Sequence, residues 1–131
     1  MRLNDLSVFV VDDDVSFNKM ITKSLMKKGV RKIEPFYNGE DCIANLDLEP
    51  DIIILDYHLE NSKGRLKTGL QVAEIIKRES PLTYIIMLSG EMQNDLNRFT
   101  DPRFINHIDR YLVKGMDQIP SLLEAMNEFS F

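Results

Sequence analysis

The sequence predicts one α/β domain with a doubly wound, five-stranded parallel sheet, and three observations lead to this class. Short apolar segments alternate along the chain with segments whose apolar residues recur at helical spacing. Three of the apolar segments are nearly unbroken runs of Val, Ile and Leu, as is typical of parallel strands covered on both faces. Right-handed crossovers between successive strands then place helices on both faces of the sheet.

Five segments are predicted strands, of which the second is the weakest. In chain order they are LSVFVV (6–11), KIEPFY (32–37), DIIIL (51–55), TYIIML (83–88) and RYLV (110–113). We expect them to form one sheet of a single domain, because no linker or low-complexity tract divides the chain.

Five helices are predicted between and after these strands. Their apolar faces or spans are, in chain order, Phe17, Met20, Ile21 and Leu25; 39–46; Val72, Ala73, Ile75 and Ile76; 93–99; and Ile119, Leu122, Leu123, Met126 and Phe129. Gly29 is expected to stop the first helix and Pro81 the third, and Pro120 lies in the first turn of the fifth.

Composition and charge indicate a globular domain with room for a full core. The chain has 131 residues, of which 44% are hydrophobic and 28% charged, and its formal net charge is -5. This acidic balance disfavours direct binding to nucleic acid or to an anionic membrane. Cys42 is the only cysteine, and no apolar run of membrane length or signal-peptide layout is present. We therefore expect a cytoplasmic protein, with Cys42 as a small buried residue.

Polar residues follow four of the five predicted strands, at the sheet edge where folds of this class bind ligands. They are Asp12, Asp13 and Asp14 after the first strand, Asp56 after the third, Ser89 after the fourth and Lys114 after the fifth. Clustered carboxylates repel and raise one another's pKa, so the cluster requires positive charge. Lys114 supplies part of this charge, and a hard divalent cation such as Mg²⁺ would supply the rest.

The chain closely resembles a response regulator receiver domain of two-component signalling over essentially its whole length. The resemblance depends on five motifs that occur in order at the expected strand ends. They are VVDD (10–13), NGED (38–41), PDIIILD (50–56), LSG (88–90) and YLVK (111–114). The resemblance implies a flavodoxin-like (βα)5 fold with the strand order 2-1-3-4-5.

The resemblance also implies the site. Asp56 would be the phosphoacceptor, which takes a phosphoryl group from a phosphohistidine. The implied ligands of Mg²⁺, or of Mn²⁺ in its place, are Asp12, Asp13, Asp56 and the backbone carbonyl of His58. The residues implied to contact the phosphoryl oxygens are Ser89 and Lys114, and the implied switch residues are Ser89 and Tyr111.

Two further side chains are implied to flank the path of the water that hydrolyses the acyl phosphate. These are His58, two residues after the acceptor, and Glu91, two residues after Ser89. A histidine there either orients the attacking water or shields the phosphoryl group from it. We favour shielding because Glu91 can anchor an imidazolium, and a solvated histidine without a kinetic role is the alternative.

The segment after Asp56 departs from the usual pattern of the family. It lacks the common Met-Pro pair, and if Gly69 opens the next helix, the loop is about five residues longer than usual. The loop carries Lys63, Arg65 and Lys67, which are read either as a solvated basic segment or as a docking site.

Two other departures lie later in the chain. Gly115 stands where a proline usually fixes a cis bond, so the bond is either trans or strained by roughly 2.5–4 kcal/mol. The segment 94–111 lacks the usual Gly-Ala pair, and this region normally meets partners. Partner choice is therefore not carried over from the family.

Several of these residues also have a purely structural interpretation. Asp13 and Asp14 can be the N-terminal acids of the first helix, where the helix dipole favours them. We prefer that interpretation for Asp14 and the metal role for Asp13. Taken singly, Ser89 would be a turn residue, Lys114 a surface lysine and Tyr111 part of the core.

Two rival function classes are left open. An aspartate-nucleophile phosphatase of the haloacid-dehalogenase type would use Asp12 and Asp14, but Ser16 stands where Thr or Val is usual and Asp56 is left without a role. A phosphorylation-independent binding module with a receiver fold would explain the atypical loops.

We expect one receiver domain over residues 1–131, without an output domain. It would not be an enzyme in the usual sense, since it would catalyse only the phosphorylation and dephosphorylation of its own aspartate. The expected partners of this monomer are a sensor histidine kinase or phosphotransfer protein and a downstream protein, with no direct contact to nucleic acid or membrane.

Overall fold

Five parallel strands form one sheet in the order β2-β1-β3-β4-β5 in the computed structural model, which describes residues 2–90, 105–115, 117–129 and 131. The strands are β1 (Ser7–Val11), β2 (Lys32–Phe36), β3 (Ile52–Asp56), β4 (Tyr84–Ser89) and β5 (Arg110–Val113). All four pairings are parallel. The predicted fold class and strand order are confirmed.

The two central strands β1 and β3 are buried on both faces because their side chains alternate between two separate cores. Phe9 and Ile53 belong to one core, and Val8 and Ile52 to the other. This explains why these strands have almost continuous apolar sequences, where a half-exposed strand would alternate.

Four α-helices of the described residues cover the sheet. They are α1 (Val15–Lys27), α2 (Gly39–Ala44), α3 (Gly69–Glu79) and α4 (Gln118–Glu128). Residues of α2 and α3 line the core that contains Phe9, and residues of α1 and α4 line the core that contains Val8. The helix predicted at 93–99 lies outside the described residues.

Local signals set most of the helix ends. Gly29 has φ 113°, in the left-handed region that glycine tolerates, and it follows the last turn of α1 as predicted. Thr68 caps α3 in a reciprocal capping box with Gln71, so α3 begins at Gly69.

The second helix is shorter than predicted. It ends at Ala44, where the Asn45 side chain donates to the carbonyl of Asp41 (2.8 Å), and Leu46–Leu48 form a 3-10 turn. In the part of the chain that is described, none of the helices is long and apolar enough to cross a membrane.

Candidate functional site: an acidic pocket at the carboxyl edge of the sheet

Asp12 lies directly after β1 and is held from two sides. Its side chain is buried, and Oδ1 accepts a hydrogen bond from the backbone N–H of Asp14 at 2.9 Å. Its Oδ2 accepts a hydrogen bond from Lys114 Nζ at 3.0 Å. Since one carboxylate oxygen faces the chain turn and the other faces the lysine, the orientation of Asp12 is fixed.

The two residues after Asp12 have different surroundings. Asp14 is the N-cap of α1, and its side chain accepts a hydrogen bond from the backbone N–H of Phe17 at 3.1 Å, which confirms its structural interpretation. Asp13 instead accepts a hydrogen bond at Oδ2 from the backbone N–H of Asn61, at 3.0 Å. Asp13 therefore faces the loop after β3, while Asp14 serves the helix.

Asp56 is the last residue of β3 and is 4% exposed. Lys114 Nζ lies 3.2 Å from its Oδ1, so the ammonium group bridges Asp12 and Asp56. The same ammonium lies 4.2 Å from the ring centroid of Phe17, a cation–π contact that covers one side of it. Lys114, the residue after β5, thus supplies part of the positive charge that the sequence required.

The pocket has the donor set of a hard cation site. Asp12, Asp13 and Asp56 each offer a carboxylate oxygen, and these atoms lie within 4.8 Å of one another. Carboxylate oxygens at such spacing suit Mg²⁺, which keeps its remaining positions for water and phosphate oxygens. We name these three carboxylates together with Lys114 the acidic pocket.

Burial dominates the electrostatics of this pocket. It raises the pKa of Asp56 to about 7, and the nearby charge of Asp12 adds to the rise while Lys114 opposes it. Burial raises the pKa of Asp12 as well, against the hydrogen bonds from Asp14 and Lys114. Desolvation acts to lower the pKa of Lys114, but the carboxylates of Asp56 and Asp12 outweigh it and raise that pKa. The pocket thus holds more negative charge than one lysine neutralises, and a bound cation would offset the excess.

Ser89 lies on β4, which neighbours the acceptor strand β3, and Tyr111 lies on β5, which neighbours β4. Ser89 ends β4 and is buried, and its carbonyl accepts the backbone N–H of Lys114 at 3.1 Å. Tyr111 is half-buried on β5 and packs against the core that contains Phe9. Burial raises the pKa of Tyr111 above its ordinary value. The sheet therefore brings both predicted switch residues next to the strand end that carries Lys114.

The side chain of His58 has an anchor that the sequence argument did not identify. Its Nδ1 lies 2.7 Å from Oε1 of Glu60, and its ring contacts the ring of Tyr57 edge-on, with the centroids 4.6 Å apart. The anchor predicted from the sequence, Glu91, lies outside the described residues. The contact with Glu91 therefore stays a prediction, beside the observed contact with Glu60.

The structure also tests the predictions for the bond before Gly115 and for Cys42. No cis peptide bond occurs in the described residues, so the bond between Lys114 and Gly115 is trans. Cys42 is fully buried, and burial raises the pKa of its thiol to about 12, so it is a core residue as expected.

Asn18 is a positioning residue that the sequence argument missed. It is fully buried in α1, and its Nδ2 donates to the carbonyl oxygens of Val10, Asp12 and Phe36 at 3.2, 3.3 and 2.9 Å. It ties the first turns of α1 to the ends of β1 and β2. An amide between Phe17 and the apolar residues of the next turn was the only sequence signal for this role.

Comparison with known proteins agrees with this geometry. The family described as the response regulator receiver domain matches residues 8–127. A protein of Rickettsia felis named putative response regulator NtrX-like is 32% identical over 89 residues, which are 67% of this chain and 18% of that protein. The chain therefore spans less than a fifth of the length of this relative.

Solved structures share the fold at low sequence identity. The receiver domain of NtrX from Brucella abortus has a TM-score of 0.75 at 21% identity, and the match covers 94% of this chain and all of that one. TrrA from Thermotoga maritima, solved in complex with Mg²⁺-BeF, has a TM-score of 0.71 at 22% identity, with 91% and 96% of the two chains covered.

Two observations speak against the phosphatase hypothesis. The family match is to receiver domains, and Asp14, which the phosphatase would need in its site, has its side chain engaged as the cap of α1. The match runs through both central strands, the pocket carboxylates and Lys114. The chain belongs to the response regulator receiver domain family of two-component signalling.

Proposed function

We propose that the chain takes a phosphoryl group onto Asp56 from a phosphohistidine and switches conformation as a result. The observation that carries this proposal is the buried Asp56 carboxylate, 3.2 Å from Lys114 Nζ and grouped with two further carboxylates. In the step, a carboxylate oxygen of Asp56 forms a bond to phosphorus while the bond from phosphorus to the donor imidazole nitrogen breaks. That nitrogen keeps the electron pair and takes a proton from solvent.

The residues of the chain supply position and charge for this transfer, which needs little covalent chemistry from the protein. The ammonium group of Lys114 is proposed to contact the phosphoryl oxygens, since it already bridges Asp12 and Asp56. Ser89 lies at the neighbouring strand end, where its hydroxyl is proposed to contact the same oxygens.

The proposed cation ligands are the carboxylates of Asp12, Asp13 and Asp56 and the backbone carbonyl of His58. When bound there, Mg²⁺ or Mn²⁺ would neutralise negative charge on the pocket and on the incoming phosphoryl group. The close grouping of the three carboxylate oxygens, within 4.8 Å of one another, supports this assignment, and a bound cation would favour the ionised form of Asp56.

The proposed switch begins with a phosphoryl dianion placed beside Ser89 and Lys114. Ser89 and Lys114 are drawn toward the phosphoryl group from two other strand ends. The side chain of Tyr111 then changes rotamer in response to the movement of Ser89. We propose a sensor histidine kinase or phosphotransfer protein as donor and a downstream protein as receiver of the signal, in the cytoplasm. In this role the chain acts on its own aspartate and is not an enzyme in the usual sense.

Intact-mass measurement with acetyl phosphate tests the proposal, with and without Mg²⁺. Wild type and Asp47→Asn, which changes an exposed carboxylate, should gain the mass of one phosphoryl group only with Mg²⁺. Asp56→Asn should gain none. If wild type stays unmodified, the chain is a phosphorylation-independent binding module. A mark that Asp56→Asn keeps and Asp12→Asn loses would restore the phosphatase hypothesis.

A further inference from the structure

The loop of residues 57–68 after β3 is closed at its base by backbone hydrogen bonds. The N–H of Leu59 donates to the carbonyl of Lys67 at 3.0 Å, and the N–H of Gly69 donates to the carbonyl of Tyr57 at 2.6 Å. His58 and Thr68 form an antiparallel bridge between these two bonds. We name these twelve residues the extended loop; its tip, residues 60–66, needs other partners to hold one conformation.

Glu40 in the first turn of α2 supplies one such partner. Its Oε2 accepts the successive backbone N–H groups of Arg65 and Leu66, the latter at 3.2 Å. Burial opposes ionisation of this carboxyl, but the N–H groups of Arg65 and Leu66 hold the pKa of Glu40 below its ordinary value. A charged acceptor on two successive N–H groups is a strong local anchor for a loop.

Gly64 allows the Glu40 carboxylate to come this close. A Cβ atom at position 64 would lie 2.1 Å from Oε1 of Glu40. That oxygen is buried and has no hydrogen-bond partner among the described residues. The loop backbone therefore lies directly against the Glu40 carboxylate, and any side chain at position 64 would force the two apart.

The opposite side of the loop tip contacts the acidic pocket. The backbone N–H of Asn61 donates to Oδ2 of Asp13 at 3.0 Å. Between the two anchors, the N–H of Ser62 donates to the carbonyl of Leu59 at 3.1 Å, and Lys67 Nζ donates to the carbonyl of Ser62 at 3.0 Å. The tip thus links Glu40 at one side to a pocket carboxylate at the other.

We propose that Glu40 is a positioning residue for Asp13, and thereby for divalent cation binding in the acidic pocket. By holding residues 65 and 66, Glu40 keeps the N–H of Asn61 on Asp13, which fixes the Asp13 carboxylate with one oxygen turned to the loop. Hydrogen bonds to a metal-ligating carboxylate orient it and raise metal affinity. The inference rests on the proposed function of the pocket as a cation site.

Mg²⁺ titration calorimetry on the full chain tests this inference. Glu40→Ala should weaken Mg²⁺ binding by about tenfold, the lower part of the range for a lost outer partner of a metal ligand. Gly64→Ala should weaken it similarly with no change in charge, and Glu40→Gln should recover part of the loss because its amide oxygen still accepts hydrogen bonds. Glu74→Ala, which removes an exposed acid from α3, is the matched control and should bind as wild type does.

Amide hydrogen exchange gives a second readout that general destabilisation would not reproduce. In Glu40→Ala and Gly64→Ala, the amides of Asn61, Arg65 and Leu66 should exchange faster while the amides of β1 and β3 keep their protection. If wild type binds Mg²⁺ and both variants bind it equally well, the inference is wrong and the proposed function stands. If wild type binds no Mg²⁺, the inference and the cation site fail together.

Discussion

The acidic pocket and the extended loop are neighbours, but they are held in place in different ways. The pocket carboxylates stand at the ends of β1 and β3, whose central residues are fully buried, so the sheet itself fixes their spacing. The loop meets the core through three apolar side chains, those of Tyr57, Leu59 and Leu66. Its geometry depends on backbone N–H groups that reach the side chains of Glu40, Asp13 and Gln71.

This difference implies that the two regions respond differently to mutation. Pocket carboxylates are buried at an energetic cost, so their replacement should change chemistry while leaving the fold intact or more stable. Loop anchors are a few hydrogen bonds from backbone N–H groups of the loop to side chains, so their loss should free the loop with little effect on the core. The most sensitive position should be the one at which the two regions join.

Gly69 is that position, and Gly69→Ala should give the largest effect. A Cβ atom there would lie 2.5 Å from the carbonyl oxygen of Asp56 and 2.7 Å from Sδ of Met87. Because one of these contacts is backbone at the acceptor itself, β3 or α3 must shift. We expect the free energy of unfolding to fall by about 1–3 kcal/mol, as for an overpacked core, in denaturant titrations.

Gly115→Ala is the matched control for this substitution. Gly115 follows Lys114, and a Cβ atom there would meet no atom of the described residues within 4 Å. Its stability should stay within about 0.5 kcal/mol of wild type, as for other surface changes. Equal stability of the Gly69 and Gly115 variants would show that the join between pocket and loop is looser than the contacts at Gly69 imply.

Asp56→Asn should give the next largest effect, and it should be stabilising. With its pKa raised to about 7, Asp56 is protonated in the folded chain and ionised in the unfolded chain between about pH 4 and 7. The free energy of unfolding therefore falls as the pH rises through this window. The Asn side chain does not ionise, so the variant avoids that fall, although it also loses the ion pair with Lys114. We expect its free energy of unfolding to exceed that of wild type by about 1–2 kcal/mol at pH 8 without Mg²⁺.

Denaturant titrations at pH 5 and pH 8 measure this gain, which should be larger at pH 8. Asp47→Asn, at an exposed carboxylate, should show no such dependence. Mg²⁺ should narrow the difference at pH 8 by stabilising wild type through mass action. If Asp56→Asn were stabilised by the same amount at both pH values, the burial of the Asp56 charge would not be the cause of the stabilisation.

The pocket was predictable from the sequence because its residues stand at strand ends, whereas the loop anchors were not, because they lie outside any regular element. In a parallel sheet, chain order and hydrophobic runs determine which residues end the strands, so Asp12, Asp56 and Lys114 could be brought together without coordinates. The contact of Glu40 with Arg65 depends on the path of a loop that no periodicity describes. Predicting Asn18 would likewise have required the positions of three backbone carbonyls.

The smallest expected effect concerns His58, which belongs to both regions. Its backbone carbonyl is a proposed cation ligand, while its side chain is anchored by Glu60 in the extended loop. Anchored there, the imidazole can shield the acyl phosphate on Asp56 from water. We predict faster dephosphorylation for His58→Ala, measured as loss of label from Asp56. Glu60→Gln, which weakens the anchor but keeps the ring, should show a smaller acceleration. An equal or longer lifetime in His58→Ala would rule out shielding. An equal lifetime would leave the side chain without a kinetic role, and a longer one would mean that it orients the attacking water.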